Sequence, residues 1–191
     1  MPHAPENALV VSAWDTDTDI ALEQLKTQND EGKDVGEYNT IPALIETLDI
    51  KDTIVTIDAG GCHVNAVEAI VEGEGHYLIT VKDNQPTLLK EAKEVFAEAE
   101  SHGFEGADCY QESDRGHGRI EERTYYATPV PEDSECRQKW QHLETFVMGV
   151  FFRTVKGKTS KEVRYMMSDL PCGEVQRSGN LLVKIFLFQY A

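Results

Sequence analysis

TIVTIDAGG, residues 53–61, is a run of mostly β-branched residues that ends in an aspartate, an alanine and two glycines. Such a run is typical of a buried strand, and we predict that residues 53–58 form the central strand of a sheet. Asp58 ends this strand, and open α/β sheets place ligands and catalytic groups at the carboxyl ends of their strands. Asp58 is therefore our first functional candidate. The competing interpretation is that Asp58 only caps the helix that follows.

On both sides of this strand, helix and strand patterns alternate. The helical segments carry apolar residues three and four apart, whereas the strand segments are short apolar or β-branched runs. This order predicts one α/β domain with helices on both faces of a mixed sheet. The predicted elements are strand 8–14, strand 20–27, helix 39–48 with Pro42 in its first turn, strand 53–58, helix 63–72, strand 76–82, helix 86–101, and strands 119–128, 144–155 and 161–169.

The chain is acidic, with a net charge of −16 over 191 residues. Residues 1–60 hold 13 Asp and Glu against 3 Lys, and residues 61–191 hold 21 against 15 Lys and Arg. Because proteins grip DNA largely through Lys and Arg on phosphates, this balance argues against tight DNA binding by the chain alone.

Several sequence features bear on the cellular compartment. No apolar run reaches 18 residues, which predicts no membrane helix, and the first eight residues do not form a secretory signal. The four cysteines are widely spaced and form no C-x-x-C pair. We therefore expect a reduced, cytoplasmic protein.

A second candidate site follows residue 114. Gly116-His117-Gly118 predicts a flexible loop, and a strand from residue 119 would place Arg119, Glu121 and Arg123 on one face. With Arg115 and His117 nearby, this segment is a candidate for phosphate recognition, since guanidinium groups match phosphate oxygens. The competing interpretation is an exposed strand whose charges pair with one another.

Three further motifs have less specific patterns. Lys82 ends the strand after that of Asp58 and is a candidate phosphate ligand, or simply part of a helix N-terminal turn. Cys62-His63 suggests a thiol nucleophile with a base, but adjacent residues at a helix start do not face each other. GKTS at 157–160 is not a P-loop, because the upstream glycine is missing and no helix follows.

The chain resembles the Asp-Asp-Glu insertion-sequence transposases of the H-repeat-associated branch. The similarity extends over roughly residues 8–172 and rests on several segments in one order. These segments are VVSAWDTDTDIALEQLKT at 10–27, TIPALIETLDIKDTIVTIDAGGC at 40–62, HYLITVKDNQPTLLKEAKEVF at 76–96 and DRGHGRIEERTYYAT at 114–128.

This resemblance implies a ribonuclease-H-like fold and metal-dependent cleavage and joining of DNA at the ends of a mobile element. Three carboxylates hold two Mg²⁺ or Mn²⁺ ions in such chemistry. Asp58 matches the family's second carboxylate, so the resemblance implies a catalytic and metal-binding role for Asp58. In the family, the first aspartate lies on the strand before VVSAW, and the third acid lies on a later helix.

The chain departs from the family pattern at both ends, so we expect the fold to be incomplete there. No aspartate of the first-strand type precedes residue 8, and no acidic residue follows Glu174. We expect residues 8–172 to be a partial catalytic domain and residues 173–191 to be a divergent apolar tail. The family pattern offers this tail no partner, so it either docks on an existing surface or is an aggregation hazard of high β-propensity.

The first functional hypothesis is a transposase fragment that is inactive alone, binds metal weakly or not at all, and binds DNA weakly. A second is a different metal-dependent phosphoesterase that uses Asp58 with Asp15, Asp17 or Asp19. A third is a binding module that pairs with itself or with a full-length transposase. Glu121 or Glu122 could replace a missing carboxylate only by a coincidence of geometry.

Overall fold

The computed structural model describes residues 10–15, 18–27, 36–116, 118–174 and 183–190. The chain divides into two compact units, which are residues 1–79 with 182–191, and residues 80–181. The sequence predicted one domain with an apolar tail, whereas the end of the chain belongs to the first unit. None of the helices in the described ranges is long and apolar enough to cross a bilayer.

The first unit is built on a sheet of five strands and two helices. β1 and β2 form a hairpin, and the strand order is β2-β1-β9-β3-β4. The elements are β1 (Val10–Asp15), β2 (Ile20–Lys26), α1 (Gly36–Ile45), β3 (Ile54–Ile57), a 3-10 turn (Ala59–Gly61), α2 (Val64–Glu72), β4 (His76–Val81) and β9 (Val183–Tyr190).

β9 lies inside the sheet of the first unit. It runs antiparallel to β1, where Ser12 lies opposite Phe188, and parallel to β3, where Ile57 lies opposite Leu187. β3 in turn runs parallel to β4. The tail, for which the family pattern offered no partner, therefore lies between β1 and β3. An apolar segment with one charge, Lys184, is suited to a strand that has neighbours on both edges.

α1 begins three residues before its predicted start and ends at Ile45, so Pro42 lies inside the helix and not in its first turn. Proline has no amide hydrogen, which leaves the Tyr38 carbonyl, four residues earlier, without its helical donor. The side chain of Asn65 in α2 fills this gap, because its Nδ2 donates to the Tyr38 oxygen at 2.6 Å. This bond links α1 to α2.

Two glycines after α2 allow close packing. A Cβ at Gly73 or Gly75 would come within 2.8 or 3.0 Å of the Ile50 side chain. The residue that adopts the left-handed conformation is Glu74, with φ of 56°, and its carboxylate pairs with Lys51. The predicted end of the helix at residue 72 is confirmed. The two glycines that follow it leave room for the Ile50 side chain.

The second unit carries four antiparallel strands in the order β8-β7-β6-β5. Three of its strands were predicted, whereas β5 was missed because its charged sequence lacks a strand pattern. The elements are α3 (Pro86–Ser101), β5 (Asp108–Gly116), β6 (Arg119–Pro129), α4 (Glu135–Lys139), β7 (Thr145–Val155) and β8 (Lys158–Ser168). The strands pair over almost their whole lengths, and Lys156-Gly157 forms the turn between β7 and β8.

α3 packs its apolar stripe against β7 and β8. Phe96 is buried, and its ring centre lies 6.1 Å from that of Tyr165 in β8. α4 was not predicted, because it is only five residues long. It begins at Ser134, whose hydroxyl accepts from the Cys136 and Arg137 amides. Burial, with a hydrogen bond to Glu91, raises the pKa of Cys136 to about 12.

Candidate functional site

Asp58 directly follows β3, as predicted, and its side chain is exposed. Its backbone is extended, and its side chain makes no capping hydrogen bond to the 3-10 turn that follows. The later helix α2 begins beyond His63, which is its N-cap residue. The capping interpretation of Asp58 therefore has no hydrogen bond to support it, and the carboxylate faces solvent at the end of the strand.

The backbone after Asp58 is held tightly by packing. Ala59, Gly61 and Cys62 are all buried. A Cβ at Gly61 would lie 2.4 Å from the Ile57 side chain and 2.5 Å from that of Ile41 in α1. The absence of a side chain at Gly61 therefore leaves room for the close approach of α1. The packing fixes the direction in which the chain leaves β3.

The hairpin acids do not reach Asp58. Asp15 lies level with Ile185 of β9, and Ile185 lies level with Val55, three residues before Asp58. Two strand spacings of about 4.8 Å and three residues of about 3.3 Å put Asp15 about 14 Å away. The hairpin turn, with Asp19, extends further in that direction.

Local hydrogen bonds also hold two of these acids within the hairpin. The Thr18 hydroxyl donates to Asp15 at 2.7 Å, and the Trp14 indole donates to Asp19 at 3.1 Å. Asp17 lies outside the described residues. The described geometry therefore does not bring Asp15 or Asp19 to Asp58, and the alternative of a phosphoesterase gains no support from these two acids.

A two-metal centre needs several carboxylates that converge on one point. Among the residues that the structure describes, no three His, Cys, Asp or Glu side chains come together as metal ligands would. The described surroundings of Asp58 therefore do not fit the metal centre that the resemblance implies.

The second candidate site lies in the second unit, and its predicted shared face is confirmed. Arg119, Glu121 and Arg123 lie on one face of β6, where Glu121 is the centre of an ion-pair network. Its carboxylate lies 3.2 Å from Arg119 Nε, 2.7 Å from an Arg123 nitrogen and 3.6 Å from Arg153 Nε.

Arg123 is fully engaged by carboxylates. Its second terminal nitrogen donates to Glu112 of β5 at 2.7 Å. This hydrogen bond is the main cause of the raised pKa of Arg123, with a further contribution from Glu121. The geometry around Arg123 thus favours the interpretation of paired charges over that of a phosphate ligand.

Arg115 does not join this network. It lies opposite Ile120 in the β5–β6 register, whereas Gly116 lies opposite Arg119. Because side chains alternate between the faces of a sheet, Arg115 lies on the opposite face from Arg119 and Arg123. The three arginines therefore do not form one patch. His117 lies outside the described residues.

The other sequence candidates separate as follows. Lys82 follows β4 and belongs to the second unit, where it helps to lower the pKa of Glu162, after the larger effect of Arg164. The side chain of Cys62 is fully buried, so it is not placed to act as an accessible nucleophile. The ring of His63 meets the Tyr38 ring edge-on at 5.3 Å.

The structure also brings forward basic residues that the sequence did not single out. Arg153, Lys156, Lys158 and Lys161 surround the turn between β7 and β8, and all are exposed. β6 begins where β7 ends, since Arg119 lies opposite Val155. The long strand pairing that joins these segments could not be deduced from local sequence. The recurrence of basic residues at 153, 156, 158 and 161 was a signal available in the sequence.

The chain matches several curated proteins. "Putative protein YbfL" and "H repeat-associated putative transposase YhhI" of Escherichia coli (strain K12) are each 35% identical to it over 164 residues, which is 83% of this chain and 42% of each relative. "H repeat-associated putative transposase YbfD" of the same organism is 36% identical over 124 residues, 65% of this chain and 47% of that protein. The chain is a homologue of the H repeat-associated transposases.

The resemblance seen in the sequence is thereby confirmed. The chain spans less than half the length of these three relatives. No protein-family model and no solved structure matches it.

Proposed function

We propose that this chain is part of the catalytic domain of a DNA transposase, and that Asp58 is one of the carboxylates of that domain's active site. The observation that carries the proposal is the exposed position of Asp58 at the carboxyl end of β3, without a capping hydrogen bond. The match to transposase homologues over 83% of the chain supports it.

The sheet of the first unit supports a ribonuclease-H-like arrangement. β1 has two edges, and β2 takes one of them while β9 takes the other. In a family member, the strand that bears the first aspartate precedes β1. That strand would pair with β1 at the edge that β9 occupies in this chain. We therefore propose that β9 replaces the strand that bears the first carboxylate.

β9 brings no acid to this position, because no Asp or Glu follows Glu174. The described residues offer Asp58 without converging partners, and one carboxylate is a poor site for Mg²⁺. We therefore propose that the 191-residue chain has no strand-cleavage activity of its own and that its partner in the family's chemistry is DNA.

The role of Asp58 can be tested in an intact, active relative whose aligned segment is replaced by residues 8–172 of this chain. We expect the hybrid to lose transposition when it carries Asp58→Asn, at an unchanged protein level. Asp52→Asn, which changes an exposed acid in the turn before β3, is the matched control and should retain transposition.

An aspartate-to-asparagine substitution at the aligned position of the unmodified relative tests the same role without the hybrid, again by the loss of transposition. Equal transposition by the Asp58→Asn and Asp52→Asn hybrids would refute the proposed role of Asp58.

A further inference from the structure

One end of the four-stranded sheet is basic although the chain is acidic. The turn between β7 and β8 lies beside the start of β6, because Arg119, Val155 and Lys158 lie in one row across three strands. Six exposed basic residues lie in the turn itself, in this row, and in the next three rows of paired residues away from the turn. This basic end consists of Arg115, Arg119, Arg153, Lys156, Lys158 and Lys161.

The basic end has an excess of positive charge. Its four rows hold three acids, which are Asp114, Glu121 and Glu122, so the six basic residues exceed the acids by three. Glu121 is largely occupied, since it pairs with Arg119, Arg153 and Arg123. The rest of the chain is more acidic than its net charge of −16 suggests.

The three lysines of the basic end are available to an anion. Among the described residues, no ion pair joins Lys156, Lys158 or Lys161 to a carboxylate. Lys161 lies 5.8 Å from the ring centre of Phe152, which leaves its ammonium group exposed to solvent on one side. Each lysine can therefore contact a phosphate without first breaking an ion pair within the protein.

The arrangement of these charges indicates the type of partner. Arg119, Arg153 and Lys158 lie on one face of the sheet, Arg115 and Lys161 lie on the other, and Lys156 lies in the turn between them. These charges lie on both faces and at the end of the sheet, so they do not converge on one point. Flexible cations spread in this way suit an extended polyanion with repeated phosphates, which they contact without reading base edges.

We propose that the basic end of the second unit is a contact surface for the phosphate backbone of duplex DNA. The choice of DNA as the polyanion rests on the proposed function, whereas the surface itself is assigned from the charges. Binding is independent of sequence and depends steeply on salt, since it comes from the release of counterions. The acidity of the remaining chain keeps it weak.

Fluorescence anisotropy with a labelled duplex of arbitrary sequence, measured over a series of salt concentrations from about 50 mM, tests this surface. In the variant K156A/K158A/K161A, we expect the slope of log affinity against log salt to fall by about 2 to 3. The variant K26A/K90A/K93A makes the same change in net charge with exposed lysines outside the basic end, and its slope should fall by less than about 1.

The double variant K156A/K158A keeps the contact of Lys161 with Phe152 and should show a fall of about 2, even if the triple variant is unstable. Equal slopes for the basic-end and control variants, or no binding by the wild type at the lowest salt, would overturn the proposal. Asp58 takes no part in this measurement, so failure here is distinct from failure of the Asp58 test.

Discussion

Pro42 lies inside α1, where it cannot donate an amide hydrogen to the Tyr38 carbonyl. Asn65 donates to this carbonyl from α2, and the other atom of its amide, Oδ1, is buried and accepts no hydrogen bond from the described residues. The bond therefore compensates a defect that the sequence itself creates. It also fixes α2, the helix that follows Asp58 and the 3-10 turn, against α1.

We predict that Asn65→Ala lowers the free energy of unfolding by about 1 kcal/mol, the usual net value of such a hydrogen bond. In a Pro42→Ala background, the cost should be smaller, because the new backbone amide at position 42 can donate to Tyr38. Urea denaturation of the four proteins measures this coupling. Glu68→Ala, at an exposed position of α2, is the control and should cost the same in both backgrounds. Equal costs for Asn65→Ala would contradict the account.

At the scale of single residues, the sequence placed Asp58 correctly because a β-branched run ending in an acid is a local signal. It could not show that Arg123 is held by Glu112 or that Arg115 lies on the other face. Both facts depend on β5, whose alternation of charged and polar residues has no apolar stripe. The Arg153 contact with Glu121 similarly depends on the register between β6 and β7.

At the scale of elements, β9 is the largest difference between expectation and structure. Its apolar sequence indicated a strand or an aggregating tail, but no local pattern tells which neighbours a strand will have. The structure gives it two, β1 and β3, although more than 120 residues separate it from either. Such a distant pairing depends on which strands have an edge free for hydrogen bonding, and the sequence of β9 itself does not contain that information.

This position predicts the effect of proline in β9. In a strand with neighbours on both edges, successive amides point to alternate neighbours, so a proline removes a ladder hydrogen bond at every position. We expect Ile185→Pro and Phe186→Pro each to unfold the first unit or destabilise it by about 3 kcal/mol or more. Thermal unfolding followed by circular dichroism measures the loss.

The edge strand β2 supplies the matched control. In this edge strand, every second backbone amide points away from β1 and donates no hydrogen bond to it. Of Glu23→Pro and Gln24→Pro, one therefore removes a ladder hydrogen bond and the other does not, so one should be tolerated clearly better than the other. If both prolines in β9 are tolerated, β9 is not part of the sheet. The proposed replacement of the family's first strand would then fail with it.

At the scale of the whole molecule, alternating helix and strand patterns predicted the α/β class. The division into two units was not predicted, because the long hairpins β5–β6 and β7–β8 form a sheet region through pairing that local sequence does not encode. The overall charge of −16 similarly gave no hint of a basic end, since its six residues come from four separated strands and a turn.

We propose that the chain presents Asp58 as one carboxylate of a transposase site, and that its described residues lack the convergence of carboxylates that strand cleavage needs. The most direct measurement incubates the purified 191-residue protein with labelled duplex DNA containing an element end, with Mg²⁺ or Mn²⁺, beside Asp58→Ala. We expect no cleaved or joined product from either protein, at a salt concentration low enough for the DNA to bind. Cleavage by the wild type that is lost in Asp58→Ala would contradict this proposal, because Asp58 would then have partner carboxylates in the folded protein.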